Sequence, residues 1–454
     1  MTKPITYYST NLKAEPVSFK EALLKGIAPD KGLFMPDHIP QLTAEEIDSF
    51  STMEYWEIAY TVIHKFLKDD IPAEDLKAIC KDAYNFDVPL ENGYDRKYVM
   101  RLDQGPTASF KDFAARMMGR LMNYYLSRDH RNLLILTATS GDTGSAIANA
   151  YYGLNNVKAL VLFPEKEVTN RQRKQMTTLG NNILILSLDG KFDDCQALVK
   201  QAFADTDLDH LNLSSANSIN IGRLIPQTVY YFYSYAKLKK AKGEKVIFSV
   251  PSGNFGDMMG GVIAMKMGLP VKRFVISTNA NDEYPKFLKT EDYDIIVPSK
   301  NCISSAMNVG HPSNMARLVA LYGGVMSEKG TVVKKADMKH MKEEIWAVSI
   351  NDEHTRETIK TAWKDHELLL EPHGSVGWAG LHEYIQEHGD DKDQLYISLE
   401  TAHPAKFPEQ IIELLGFDPE LPPSLEGIEH KEEQYDHIRS DYDSFKDYLK
   451  KNYK

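Results

Sequence analysis

Six short apolar runs without alternation decide most of what this chain can fold into. Leu133-Leu134-Ile135-Leu136-Thr137, Ala159-Leu160-Val161-Leu162-Phe163 and Ile183-Leu184-Ile185-Leu186-Ser187 are each followed by a segment with helical spacing. Val246-Ile247-Phe248-Ser249-Val250, Phe274-Val275-Ile276-Ser277 and Tyr396-Ile397-Ser398-Leu399 form a second set. A strand with one wet face alternates apolar and polar residues; a run that does not alternate is buried on both faces, as in a parallel sheet covered by helices. The pattern predicts an α/β protein with two open α/β layers.

Around these layers the chain divides as follows. Residues 1–97 read as a mainly helical N-terminal domain, with helical spacing in Tyr55-Trp56-Glu57-Ile58-Ala59-Tyr60 and turn signals such as Ala28-Pro29-Asp30-Lys31-Gly32. Residues 98–110 and 216–415 form a large α/β domain, and 111–215 a small mobile one. A long amphipathic helix is expected over 219–239. The charged stretch 416–454 reads as a solvated terminal helix or a frayed end.

Composition narrows the function. A chain of 454 residues is too long for one simple core. Its net charge of -11 gives no encouragement to nucleic-acid or anionic-membrane binding. Cys80, Cys195 and Cys302 are odd in number and far apart, which suits neither a disulfide framework nor a zinc cluster. No metal is expected. With no export signal and no run of about eighteen apolar residues, a cytoplasmic location without membrane insertion is expected.

Five segments carry candidate chemistry. In Pro106-Thr107-Ala108-Ser109-Phe110-Lys111-Asp112-Phe113, apolar residues at Phe113, Met117, Leu121 and Tyr125 mark a helix face. Ser109 reads as its N-cap and Asp112 as nearly completing a capping box. Lys111 then stands in the first turn, where the helix dipole and any burial favour the neutral, nucleophilic amine. Alone, such a lysine is far more often an ordinary one paired with a carboxylate.

The other four leave the carboxyl ends of expected strands or precede a helix. Thr139-Ser140-Gly141-Asp142-Thr143-Gly144 offers amides and hydroxyls to a carboxylate or phosphate, or is simply a tight turn. Ser252-Gly253-Asn254-Phe255-Gly256-Asp257 opens a helix as a phosphate cradle would, though it matches neither common nucleotide fingerprint. Asn217, Ser218 and Arg223 are either phosphate donors or capping residues. Thr401, in Thr401-Ala402-His403-Pro404-Ala405-Lys406-Phe407, offers a hydroxyl to a heteroaromatic nitrogen or ends a strand. The histidines of His382-Glu383-Tyr384-Ile385-Gln386-Glu387-His388 are six apart and cannot act as i, i+4 zinc ligands; a solvated helix is expected there.

Taken together with Gly26-Ile27-Ala28-Pro29-Asp30-Lys31-Gly32-Leu33-Phe34-Met35-Pro36, these segments make the chain resemble the threonine synthases over nearly its whole length. Those are pyridoxal 5'-phosphate (PLP) enzymes of fold type II, the tryptophan synthase β-like fold. The resemblance implies that Lys111 forms the Schiff base with the cofactor. It also implies that Gly253, Asn254, Phe255, Gly256 and Asp257 hold the cofactor phosphate, and that Thr401 faces the pyridine nitrogen. Ser140, Gly141, Asp142 and Thr143 would grip the amino acid's carboxylate, and Asn217, Ser218 and Arg223 the substrate's phosphate. Relatives in the wider fold often carry Asn at the position of Asp142, because an acid there repels a bound carboxylate unless it is turned away.

The implied reaction converts O-phospho-L-homoserine and water to L-threonine and phosphate, the final step of threonine biosynthesis, with the small domain closing on the substrate. The protein would be a monomer or homodimer. The alternatives are a threonine or serine dehydratase-like PLP lyase and a non-catalytic PLP-binding relative.

Overall fold

The computed structural model describes residues 4–139 and 141–453. The two sets of apolar runs form two separate sheets. In the six-stranded one the order is Ile345–Ser349, Val271–Thr278, Val246–Pro251, Leu395–Glu400, Lys97–Arg101, Leu90–Tyr94. Neighbours are parallel except for the last pair, which is antiparallel. The five-stranded sheet runs Asp436–Ile438, Ile183–Leu188, Val157–Pro164, Leu133–Ala138, Leu213–Ser214, with every pair parallel. Leu133–Ala138, Val246–Pro251 and Leu395–Glu400 are buried at every position, as two-sided packing requires.

Two expectations are corrected and two are refined. Leu90–Tyr94 pairs with Lys97–Arg101 inside the large sheet, so a boundary at residue 97 runs through a hairpin. This edge hairpin holds Asn92, Gly93 and Asp95 and lacks the apolar signal of the central strands. The helix expected over 219–239 is three pieces, Ile221–Arg223, Leu224–Gln227 and Val229–Leu238. Pro226 has no N–H to donate and its ring crowds the preceding turn.

The C-terminal stretch is largely exposed, as a solvated helix would be, but it is docked and not frayed. Asp436–Ile438 extends the small sheet, and the helix Tyr442–Asn452 buries Phe445 and Leu449 against Cys195, Leu198 and Val199. An i, i+4 pair of apolar residues in a charged background is one narrow stripe, enough to dock a short helix. In the helix Pro372–His388 the first ten residues are buried, whereas over His382–His388 only Tyr384 is buried and Gln386, Glu387 and His388 are exposed. His382 packs edge-on to Tyr94 and tilted against Trp378, and burial pulls its pKa down to about 4. Among the described residues no helix is long and apolar enough to cross a membrane.

Candidate active site

One cavity collects loops from both sheets. It is lined by residues after Leu133–Ala138, after Val246–Pro251 and after Leu395–Glu400, together with Phe110 and Lys111. Ligands of open α/β sheets sit at such carboxyl ends.

The helix Lys111–Asp129 begins as expected, but its cap differs. Phe110 is the N-cap residue and no side chain caps the helix; the Ser109 hydroxyl is buried without a partner. Residues 108–110 are instead committed to the loop after Glu400. Phe110 N–H donates to Thr401 O at 2.9 Å and His403 N–H to Ala108 O at 3.0 Å. Asp112 turns to Thr107, accepting from its N–H at 2.8 Å and its hydroxyl at 2.6 Å. A Cβ on Gly105 would lie 2.4 Å from Asp112 Oδ2, so glycine is needed there. Lys111 is thus fixed from both sides in the first turn. Its pKa is lowered, first by burial; Asp142 opposes this, while Lys406 and Arg223 add to it. Lys111 Nζ lies 3.8 Å from Asp142 Oδ2.

The glycine loop approaches its neighbours too closely for side chains. A Cβ on Gly253 would lie 2.9 Å from Met307 Cα, and one on Gly256 would lie 3.0 Å from Ser218 Cβ. Phe255 adopts a left-handed backbone (φ 61°) just before the helix Gly256–Lys266, and the start of that helix lines the cavity. Asn254 is held by Asn314, whose amide donates to Asn254 O at 2.8 Å. The Asp257 carboxylate accepts from the hydroxyls of Tyr230 (2.6 Å) and Tyr231 (2.8 Å). Burial raises its pKa to about 6.

Arg223 is only 3% exposed and has no carboxylate partner among the described residues. Nη1 donates to Ala216 O at 2.7 Å, whereas Nε has no partner. Burial pulls its pKa down to about 10. A guanidinium in this state costs stability until an anion joins it. Asn217 and Ser218 line the same cavity, and Asn217 Oδ1 is also unpartnered.

Of the remaining predicted residues, Ser140 lies outside the described residues. Gly141 has φ 131°, and a Cβ there would strike Gln172. The Thr139 hydroxyl accepts from the N–H groups of Gly141 (2.9 Å) and Gly144 (2.7 Å), while Asp142 and Thr143 line the cavity. The Asp142 side chain is engaged within the protein: Oδ1 meets Lys406 Nζ at 2.6 Å and Gln172 Nε2 at 2.9 Å. Burial would raise its pKa, but Lys406 and Lys111 outweigh that and hold it well below the carboxylate range. The Thr401 hydroxyl stands 3.5 Å from Glu371 Oε1, at the limit of a hydrogen bond.

Sequence reasoning missed Glu371, His373, Lys406 and the loop at 305–309. Glu371 caps the helix Pro372–His388 through the N–H groups of His373 and Gly374 and also accepts from His373 Nδ1. His373 Nε2 then accepts from Ala306 N–H at 3.0 Å, which anchors the 305–309 loop over Gly253. An acid before Pro-His-Gly signals a helix start, and that was the one available clue. The 305–309 loop has no glycine and no motif. All these groups suit a phosphorylated aldehyde cofactor and an anionic substrate: a lysine with a depressed pKa, a glycine cradle at a helix start and an unneutralised buried arginine share one cavity.

Comparison with known proteins agrees with this chemistry. Three family models match: "Threonine synthase N terminus" over residues 6–84, "Pyridoxal-phosphate dependent enzyme" over 90–399 and "Threonine synthase, C-terminal" over 375–449. Threonine synthase of Haemophilus influenzae is 37% identical over 449 residues, covering 98% of this chain and 99% of the relative. That of Escherichia coli is 38% identical over 414 residues, covering 90% and 91%. The crystal structure of PLP-bound threonine synthase from Brucella melitensis superposes with a TM-score of 0.90 at 33% identity, covering 98% of this chain and 99% of that one. The yeast threonine synthase structure gives 0.89 at 31%, covering 98% of each.

Proposed function

The chain belongs to the threonine synthase family, whose members are pyridoxal-phosphate-dependent lyases, and on that premise we propose that it converts O-phospho-L-homoserine and water to L-threonine and phosphate. The observation that carries the choice of substrate is Arg223, a buried guanidinium with an unpartnered Nε in the same cavity as Lys111. A dehydratase acting on serine or threonine has no substrate dianion for that charge to meet.

Lys111 is the residue we assign to the cofactor's aldehyde. Bound there, PLP would supply the conjugated ring that spreads negative charge built up at the substrate's Cα and Cβ. The amides of Gly253 to Asp257 would hold its phosphate and Thr401 would face its ring nitrogen. This chain's residues do the rest. The Lys111 amine, its pKa lowered by burial, takes the Cα proton and carries it. Backbone amides of Asp142 and Thr143 orient the amino acid's carboxylate, since the Gly141 N–H is held by Thr139 and the Asp142 side chain is already committed to Lys406. Arg223, with Asn217 and Ser218, neutralises the phosphate as its bond to Cγ breaks. Phe110, Phe192, Met307 and Val309 line the cavity and keep bulk water from the reacting carbons. The cysteines are unpaired, which fits a reducing compartment such as the cytoplasm.

The test is direct. Purified protein loaded with PLP and given O-phospho-L-homoserine releases phosphate and L-threonine in equal amounts, and releases little keto acid from L-serine or L-threonine. Keto acid and ammonia in place of phosphate would favour the dehydratase reading; no turnover at all would favour the non-catalytic one.

The cradle makes a second prediction. Gly253→Ala forces a methyl within 2.9 Å of the Met307 backbone, so one of the two loops must move. PLP affinity, read by equilibrium titration of the visible absorbance, falls by about tenfold or more, roughly 1.4 kcal/mol. Unchanged affinity would remove the 253–257 loop from the phosphate site.

A further inference from the structure

Lys406 is fully buried, yet no part of the reaction described above uses it. Its ammonium reaches Asp142 Oδ1 at 2.6 Å and Thr107 O at 2.8 Å. Thr107 in turn binds Asp112 beside Lys111, and its carbonyl also accepts from Gln175 Nε2 at 3.0 Å. The turn that delivers Lys406 is clamped from the small-sheet side. Arg171 Nη1 donates to Ala405 O at 2.7 Å and the Thr169 hydroxyl to Lys406 O at 3.2 Å. Lys406 therefore has one place to put its charge.

Asp142 has two cations to choose between. Oδ1 is taken by Lys406 and Gln172, at 2.6 and 2.9 Å, while Oδ2 stays 3.8 Å from Lys111. Without Lys406, the nearest cation left to this buried carboxylate is Lys111, which a lone ionised acid holds as ammonium. We propose that Lys406 is a positioning residue for Lys111: by engaging Asp142 it stops that carboxylate from pinning the Lys111 nitrogen in its protonated form.

The other charged groups acting on this pair are Arg223 and Glu371 at Lys111, and His373 at Asp142, with Asp257 on the far side of Lys111. Glu371 is engaged by His373 and by helix-start amides, and Asp257 by two tyrosines, so neither replaces Asp142 as the closest acid. The inference rests on the assignment of the cofactor to Lys111.

The experiment is a pH titration of the visible absorbance of the full-length holoprotein, which reports protonation of the nitrogen that joins Lys111 to PLP. In Lys406→Met the midpoint rises by about one pH unit or more, the size expected when a compensating cation beside a close carboxylate is lost. Lys406→Arg keeps a cation and stays near the wild type. Adding Asp142→Asn to Lys406→Met removes the opposing charge and returns the midpoint toward the wild-type value. An unchanged midpoint in Lys406→Met, or a double variant that stays shifted, overturns the proposal. Should Lys406→Met not fold, Lys406→Gln is titrated in its place: a raised midpoint supports the proposal and an unmoved one overturns it. Wild-type protein that shows no such absorbance after loading with PLP overturns the Lys111 assignment itself, a different result from any of these.

Discussion

Lys111→Ala abolishes turnover of O-phospho-L-homoserine, with a loss of about 10⁴-fold or more, because one substitution removes both the cofactor's attachment and the base that works at Cα. The fold is expected to survive it. Lys111 is the first residue of its helix, alanine is the best helix former, and the lost ammonium was disfavoured by burial. The variant should therefore unfold at or above the wild-type temperature while lacking the visible absorbance of a lysine-bound cofactor. Retained turnover would mean that another amine does the chemistry.

Arg223→Met lowers kcat/KM for O-phospho-L-homoserine by roughly 10² to 10³-fold, the usual loss when one preorganised charge at a developing anion is removed. The visible absorbance stays, because the Gly253 to Asp257 cradle is untouched. Stability gives an independent signature. In the ligand-free protein Arg223 is a buried cation with no anion, so the variant is at least as stable as the wild type despite losing its bond to Ala216 O. Excess inorganic phosphate raises the unfolding temperature of the wild type and leaves that of the variant unmoved. A variant with full activity, or one equally stabilised by phosphate, would take the substrate phosphate away from this residue.

Much of the fold was legible because its signals are local. The central strands announce themselves as apolar runs, and each of those six runs is a strand of one of the two sheets. What escaped was decided by packing between distant segments. Ile345–Ser349, on the sheet edge, is mostly half-buried, and its short apolar run follows the helix Met338–Glu344 directly, with no turn residue to mark its start. The terminal helix is polar by composition and is captured by two apolar residues. The Ser109 cap lost to long-range bonding, since residues 108–110 are pinned to the loop at 401–403.

The site divides in the same way. Lys111, the Gly253 to Asp257 loop, Arg223 and Thr401 stand in stretches with turn or capping chemistry, and the structure brings all of them to one cavity. Lys406 matters through partners hundreds of residues away, which no spacing in the chain records, whereas Glu371 bonds to its own helix start and joins the site only through the folding of the 401 loop beside it. Asp142 was legible as a problem, an acid where a carboxylate should bind. Its solution, an ion pair with Lys406, required the fold.

The central claim is that one lysine carries the cofactor, and chemical trapping tests it most directly. Holoprotein is reduced with borohydride, digested, and the modified peptide located by mass spectrometry. The account predicts a single pyridoxyl group on Lys111. A label on another lysine, Lys406 included, or no covalent label on protein that binds PLP, would contradict it.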